Sequence, residues 1–146
     1  MKVFKSIMLS IAELIYIKGS IYKLMKKKMT YADAQKSCKK WHCKSHLASI
    51  HTMEEHDALI KLLKNFQVSS AWLGANDQGK EGAWQWDDQT KFSWSKWAPG
   101  EPNNLGGGQD CLLLVQDLWK KMGWSSHQNV WDDATCPEKH AFICKI

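Results

Sequence analysis

The sequence predicts an α+β fold. Two observations carry that assignment: apolar stripes of helical period occupy the first half of the chain, and short tryptophan-rich runs of strand character follow them. The length, 146 residues of which 44% are hydrophobic, suits one ordinary domain with a sizeable core.

Taken in order, Lys2 and Lys5 precede the apolar run Ile7 to Ala12, a pattern like the opening of a signal peptide, although Glu13 interrupts it and no small-x-small cleavage site follows. Residues 1–19 are therefore read as a leader or an atypical N-terminal segment, and residues 20–146 as the domain proper. Thr30 with Asp33 marks a helix N-cap, after which Tyr31, Ala34, Cys38 and Trp41 fall on one helical face. Thr52 with Glu55 repeats the capping signal, and Ala58, Leu59, Leu62, Leu63 and Phe66 form a second stripe. Strand-like pieces follow at Ala71 to Gly74, Ala83 to Trp86, Cys111 to Val115 and Ala141 to Cys144. Trp72, Trp84, Trp86 and Trp131 belong to such patterns and are expected in the core, whereas Trp119 and Trp124 lie in a loop-like stretch and are candidates for exposure.

Composition narrows the function. A mean hydropathy of -0.45, with no apolar run near the roughly 20 residues a membrane helix needs, excludes a helical membrane span. The net charge of +5 comes from 20 Lys without a single Arg. Residues 1–46 hold 11 Lys against Glu13 and Asp33, while residues 47–146 hold 9 Lys against 13 acids. Nucleic-acid readers favour the planar Arg fork, so this Lys-only basicity reads as a solvated face and no nucleic-acid partner is expected. No nucleophile elbow, zincin motif or phosphate loop is present, and an enzyme is not expected.

Five cysteines, Cys38, Cys43, Cys111, Cys136 and Cys144, form no C-x-x-C pair and fit no zinc spacing. Four widely spaced cysteines with one left over suit a secreted domain with two disulfides. His42, Cys43, His46, His51 and His56 crowd one region, but a metal cluster there would require helix and strand geometry to gather them, and structural roles are the preferred reading.

A long stretch with turn signals separates Trp86 from Cys111, and loops of that length in compact domains are usually functional or disordered. Around it gather Asp77, Glu81, Glu101, Asn103, Asn104, Gln109 and Asp110, joined later by Asp132 and Asp133. Carboxylates and amides without His or Cys suit a hard cation, and a flexible loop suits calcium better than magnesium. A solvated acidic loop is the plainer alternative, since Asp and Asn are common turn residues. In Glu101-Pro102-Asn103 a cis proline would turn two side-chain oxygens toward one point.

From about Ser20 to Ile146 the chain resembles a C-type lectin domain of the short form, on the residues Met29 to Cys38, His46 to His51, Trp72-Leu73-Gly74, Glu101-Pro102-Asn103, Asp110-Cys111, Trp131-Asp132-Asp133 and Cys136 to Cys144. The resemblance implies a double-loop α+β fold with two helices, small antiparallel sheets and a long calcium-binding loop, with Cys38 bridged to Cys144 and Cys111 to Cys136. It implies a primary calcium held by Glu101, Asn103, Gln109, Asp132 and Asp133, and an accessory calcium held by Asp77, Glu81, Asn104 and Asp110. Glu101, Asn103, Gln109 and Asp132 would also contact the sugar. The Glu-Pro-Asn triplet resembles the version that accompanies mannose, glucose, fucose and N-acetylglucosamine, so glycans with mannose-type terminal sugars are the implied partners.

Two positions of the implied primary site depart from the family pattern, and at the accessory site Asn104 stands where Asp is frequent. Gln109 stands where Glu is usual and Asp132 where Asn is usual, which reads as an exchange of acceptor and donor roles. Cys43 has no partner in the implied scheme and is a candidate for a disulfide-linked dimer. Ice binding and protein-ligand binding, without sugar, are the competing readings, because a fold does not fix its function.

Overall fold

The computed structural model describes residues 13–104, 107–116 and 128–146. It opens with a hairpin, β1 (Leu14–Ile17) and β2 (Ser20–Met29), joined through Lys18 and Gly19, both at positive φ as a tight two-residue turn requires. Strands therefore precede the helices, which corrects the expected order of helices first and strands after. The line drawn at residue 19 falls within this hairpin turn. Residues 1–12 of the expected leader, and Trp119 and Trp124, lie outside the described residues.

Helix α1 (Tyr31–Trp41) starts where Thr30 Oγ1 accepts the Asp33 amide at 3.3 Å. After the short strand β3 (His46–Leu47), helix α2 (Met53–Asn65) starts where Thr52 Oγ1 accepts the Glu55 amide at 3.2 Å. Strands β4 (Ser70–Asn76), β5 (Gln85–Trp86), β6 (Cys111–Val115), β7 (Val130–Ala134) and β8 (His140–Lys145) complete the order.

Among the described residues the strands form one sheet in the order β1-β2-β8-β4-β6-β7, with β3 added to β8 and β5 to β4. Every pairing is antiparallel except β4 with β8, which run parallel through Ala71 with Ala141 and Trp72 with Phe142. The three central strands are apolar on both faces, as a sheet covered on both sides demands. Trp72, Leu113 and Phe142 pack with Tyr31, Ala34 and Cys38 of α1, whereas Leu73, Leu112, Leu114 and Ile143 pack with Leu59, Leu62 and Leu63 of α2. Cys38–Cys144 ties α1 to β8 across 106 residues, and Cys111–Cys136 ties β6 to the segment after β7. Both bridges agree with the implied pairing. Cys43 is exposed and outside both.

Trp131 on β7 is fully buried and meets Trp86, Phe92, Trp94 and Trp97 at ring distances between 5.5 and 6.2 Å. Trp84, expected in the core, is half-buried and packs on Trp97. This aromatic cluster sets the long loop against β7.

Candidate functional site

Backbone bonds bring the loop to β7. Trp131 donates its amide to the Lys96 carbonyl and accepts from the Ala98 amide, both at 2.8 Å, and the Glu101 amide turns back to the Ala98 carbonyl at 2.9 Å. Glu101 thus arrives beside Asp132 and Asp133, which β7 holds in register with Leu113 and Leu112 of β6. The Glu101–Pro102 bond is cis.

Glu101, Asp132 and Asp133 each offer a carboxylate oxygen, and these oxygens lie within 4.8 Å of one another. Asp133 is 2% exposed and accepts the backbone amides of Asn103 at 3.3 Å and Asn104 at 2.7 Å. Burial, then the Asp132 and Asp133 carboxylates, push Glu101 up to about 8. Asp133 is pushed up by burial, which outweighs the opposing pull of the Asn104 and Asn103 amides.

A second trio, Asp77, Glu81 and Asp110, gathers within the same limit. Asp77 follows β4, is 2% exposed, and donates its amide to the Asp110 carbonyl at 3.0 Å. The Gly82 amide donates to Asp77 Oδ2 at 2.9 Å and to Glu81 Oε2 at 3.1 Å, leaving Asp77 Oδ1 buried without a hydrogen-bond partner. Burial and then Glu81 raise Asp77, and burial and then Asp77, with Asp133 further off, raise Asp110. The two trios are therefore electrostatic neighbours. Asn104 joins their segments, its Oδ1 accepting the Gln109 amide at 2.9 Å.

Among the described residues no lysine forms an ion pair with Glu101, Asp133, Asp77, Glu81 or Asp110. Two clustered trios of carboxylates, with Asp77 and Asp133 buried and one oxygen of Asp77 orphaned, form a donor set made wholly of oxygens and deficient in positive charge. A hard divalent cation fits it. All six carboxylates of the implied ligand set are in the two trios, and Asn103, Asn104 and Gln109 lie on the connecting loop.

One contributor has no signal in the sequence, and a second, His56, has the structural role preferred for it there but a partner the sequence does not name. The Gly82 amide is a backbone donor, which residue type does not reveal, although its positive φ is one a glycine favours. His56 of α2 accepts from Trp131 Nε1 at 3.1 Å through Nδ1 and bonds the Asn129 carbonyl at 2.9 Å through Nε2, bracing the strand that carries Asp132 and Asp133. His46 and His51 are likewise engaged, with Lys39 and Thr90 respectively.

Comparison with known proteins decides the family. The family model described as "Lectin C-type domain" matches residues 27–146. The chain belongs to the C-type lectin domain family. A C-type lectin of Thrasops jacksonii, one of the lectoxins, is 34% identical over 131 residues, covering 88% of this chain and 78% of that protein. Among solved structures, the cow C-type carbohydrate-recognition domain of CD23, in the presence of a GlcNAc2Man3 oligosaccharide, is similar with a TM-score of 0.76 and 28% identity over 92% of each chain. The calcium-free form of a Ca2+-dependent type II antifreeze protein is similar with a TM-score of 0.77 and 25% identity over 92% of this chain and 97% of that one. This C-type lectin domain thus has both a carbohydrate-recognition domain and an antifreeze protein among its structural neighbours.

Proposed function

We propose that this C-type lectin domain is a secreted, calcium-dependent binder of mannose-type terminal sugars. The observation that carries the reading is the convergence of Glu101, Asp132 and Asp133 beside an intact Glu101-Pro102-Asn103 triplet, with no lysine paired to Glu101 or Asp133 among the described residues. In this reading Glu101, Asn103, Gln109, Asp132 and Asp133 hold the primary calcium, and Asp77, Glu81, Asn104 and Asp110 the accessory one. Bound calcium supplies open coordination positions for two vicinal sugar hydroxyls. Around it the chain's own carboxylates accept from those hydroxyls, while the side-chain amides of Asn103 and Gln109 donate to them. The Asn103 and Asn104 backbone amides hold Asp133 in place.

The test combines calorimetry with affinity chromatography. Calcium at a hundred times its Kd should stabilise the fold by about 2.7 kcal/mol, and EDTA should reverse that gain. On a yeast-mannan matrix in calcium, mannose or N-acetylglucosamine should elute the protein at concentrations where galactose does not. A melting curve indifferent to millimolar calcium removes the metal and the sugar together. Calcium stabilisation without any sugar elution, but with shaping of ice crystals, replaces sugar binding with ice binding.

A further inference from the structure

We infer that the flank of the sheet opposite the carboxylate trios carries a second site, a calcium-independent groove for a linear sulfated polysaccharide chain. Lys27, Lys28, Lys36, Lys40 and Lys139 line one cleft of about 360 Å³, with Asp33 its one acid among the described residues. None of the five forms an ion pair among the described residues. A second cleft of about 460 Å³ shares Lys28 and Lys139 and adds Lys26 and Phe66, so the two run into each other. Two joined clefts outreach a single small anion and match a chain.

The backbone builds this arrangement. Between Met25, opposite Phe142, and Met29, opposite His140, β2 carries two more residues than β8, and the resulting bulge presents Lys26, Lys27 and Lys28 in succession. Lys139 stands immediately before β8, next to that bulge, and α1 follows β2 directly, bringing Lys36 and Lys40 to the same cleft. Lys36 and Lys40 stand four apart on the helix, a like-charge spacing that weakens it. Five mutually repelling ammonium groups around one concavity oppose folding unless an anion of matching length relieves them.

The ligand class follows from the same residues. Lys offers strongly hydrated point charges, suited to sulfate groups, where base and phosphate readers use the Arg fork. The ring of Phe66, the one phenyl or indole ring of either cleft among the described residues, has Lys26 Nζ at 5.2 Å from its centroid, which leaves it poorly placed for stacking bases. A flat bilayer reaches only the rim of a groove. The groove touches β4 only at its first residue, Ser70, whereas Asp77 follows its last, roughly 20 Å further along the strand, so the groove and the carboxylate trios can be filled at once.

The test uses the full chain in EDTA at 150 mM NaCl with a heparin oligosaccharide as probe, read by calorimetry. Lys28→Glu/Lys139→Glu should weaken binding at least tenfold and flatten the dependence of log Kd on log salt, while Lys61→Glu/Lys91→Glu, an equal charge change elsewhere on the surface, should weaken it less than threefold. Retention on mannan in calcium should be the same for both pairs, which keeps this site separable from the sugar site. Should the first pair lower the melting temperature, Lys28→Gln/Lys139→Gln takes its place with the same ranking expected. Equal weakening by the two pairs, no heparin binding at 150 mM NaCl, or tighter binding to phosphatidylserine vesicles or duplex DNA than to heparin would overturn the proposal.

Discussion

Gln109 and Asp132 test whether a binding site is defined by residue identity or by its inventory of donors and acceptors. In the family pattern one carboxylate and one amide serve a sugar hydroxyl; here each residue type stands where the other is usual, so one of each remains. Gln109→Glu alone would add a like charge to an acid cluster whose burial already raises Glu101 to about 8. Asp132→Asn alone would remove charge from the set proposed to hold calcium. Each single change should weaken calcium and mannose binding, and the double change should restore affinity to near the parent's, with a coupling of about 0.5 to 3 kcal/mol in a double-mutant cycle. Additive single effects would place one of the two outside the site. At this scale the acids were legible because oxygen-bearing side chains announce their chemistry. The Gly82 amide was not, since every residue but proline carries one.

Elements, once paired, impose demands that no window of sequence contains. Gly74 in β4 donates its amide to the Ala48 carbonyl at 2.8 Å, and a Cβ built there would collide with the Leu47 carbonyl oxygen and lie 2.7 Å from the carbon that bears it. Gly74→Ala should therefore destabilise by at least about 2 kcal/mol and lower the melting temperature by about 4 to 8 °C, whereas Gly79→Ala, with nothing within 4 Å of the new Cβ, should change it little. Equal melting curves would show that β3 and β4 separate readily. His56 makes a similar point between α2 and β7. Its Nδ1 must stay bare to accept from Trp131 Nε1, a donor only, and burial foremost, with Lys96 adding to it, lowers its pKa below the ordinary 6.5. Between the folded and unfolded pKa the unfolded chain binds more protons, so this contribution to stability is complete above about pH 6.5 and is lost as pH falls through the folded value. An imidazole NMR titration should give a midpoint below 6.5 with the Nε2–H tautomer at neutral pH, and a midpoint at or above 6.5 would mean that the Trp131 bond does not form in solution. Both helices were readable because capping pairs and a 3.6-residue stripe are local signals. The opening hairpin gives only a weak local signal although Lys18-Gly19 sits between alternating runs, because its lysine-rich second strand has one apolar face only as far as Leu24.

Over the whole molecule, the charge asymmetry along the chain becomes an asymmetry across the sheet. Lys27, Lys28, Lys36 and Lys40 collect around β2 and α1, and the two carboxylate trios gather at β7, the long loop and the far end of β4. The 106-residue separation of Cys38 and Cys144 is what a loop-closure account associates with about 4 to 5 kcal/mol of stabilisation, and it fastens α1 to the strand beside β2. By itself the sequence determined the α+β class, the two helices and the chemical type of the site, since capping, periodicity and oxygen-rich composition are local properties. Only the tertiary structure decided which carboxylates meet, which histidine braces the strand that bears them, and that dispersed lysines share one groove. Those facts depend on which strands pair and in what register, and pairing is settled by contacts between residues far apart in the chain.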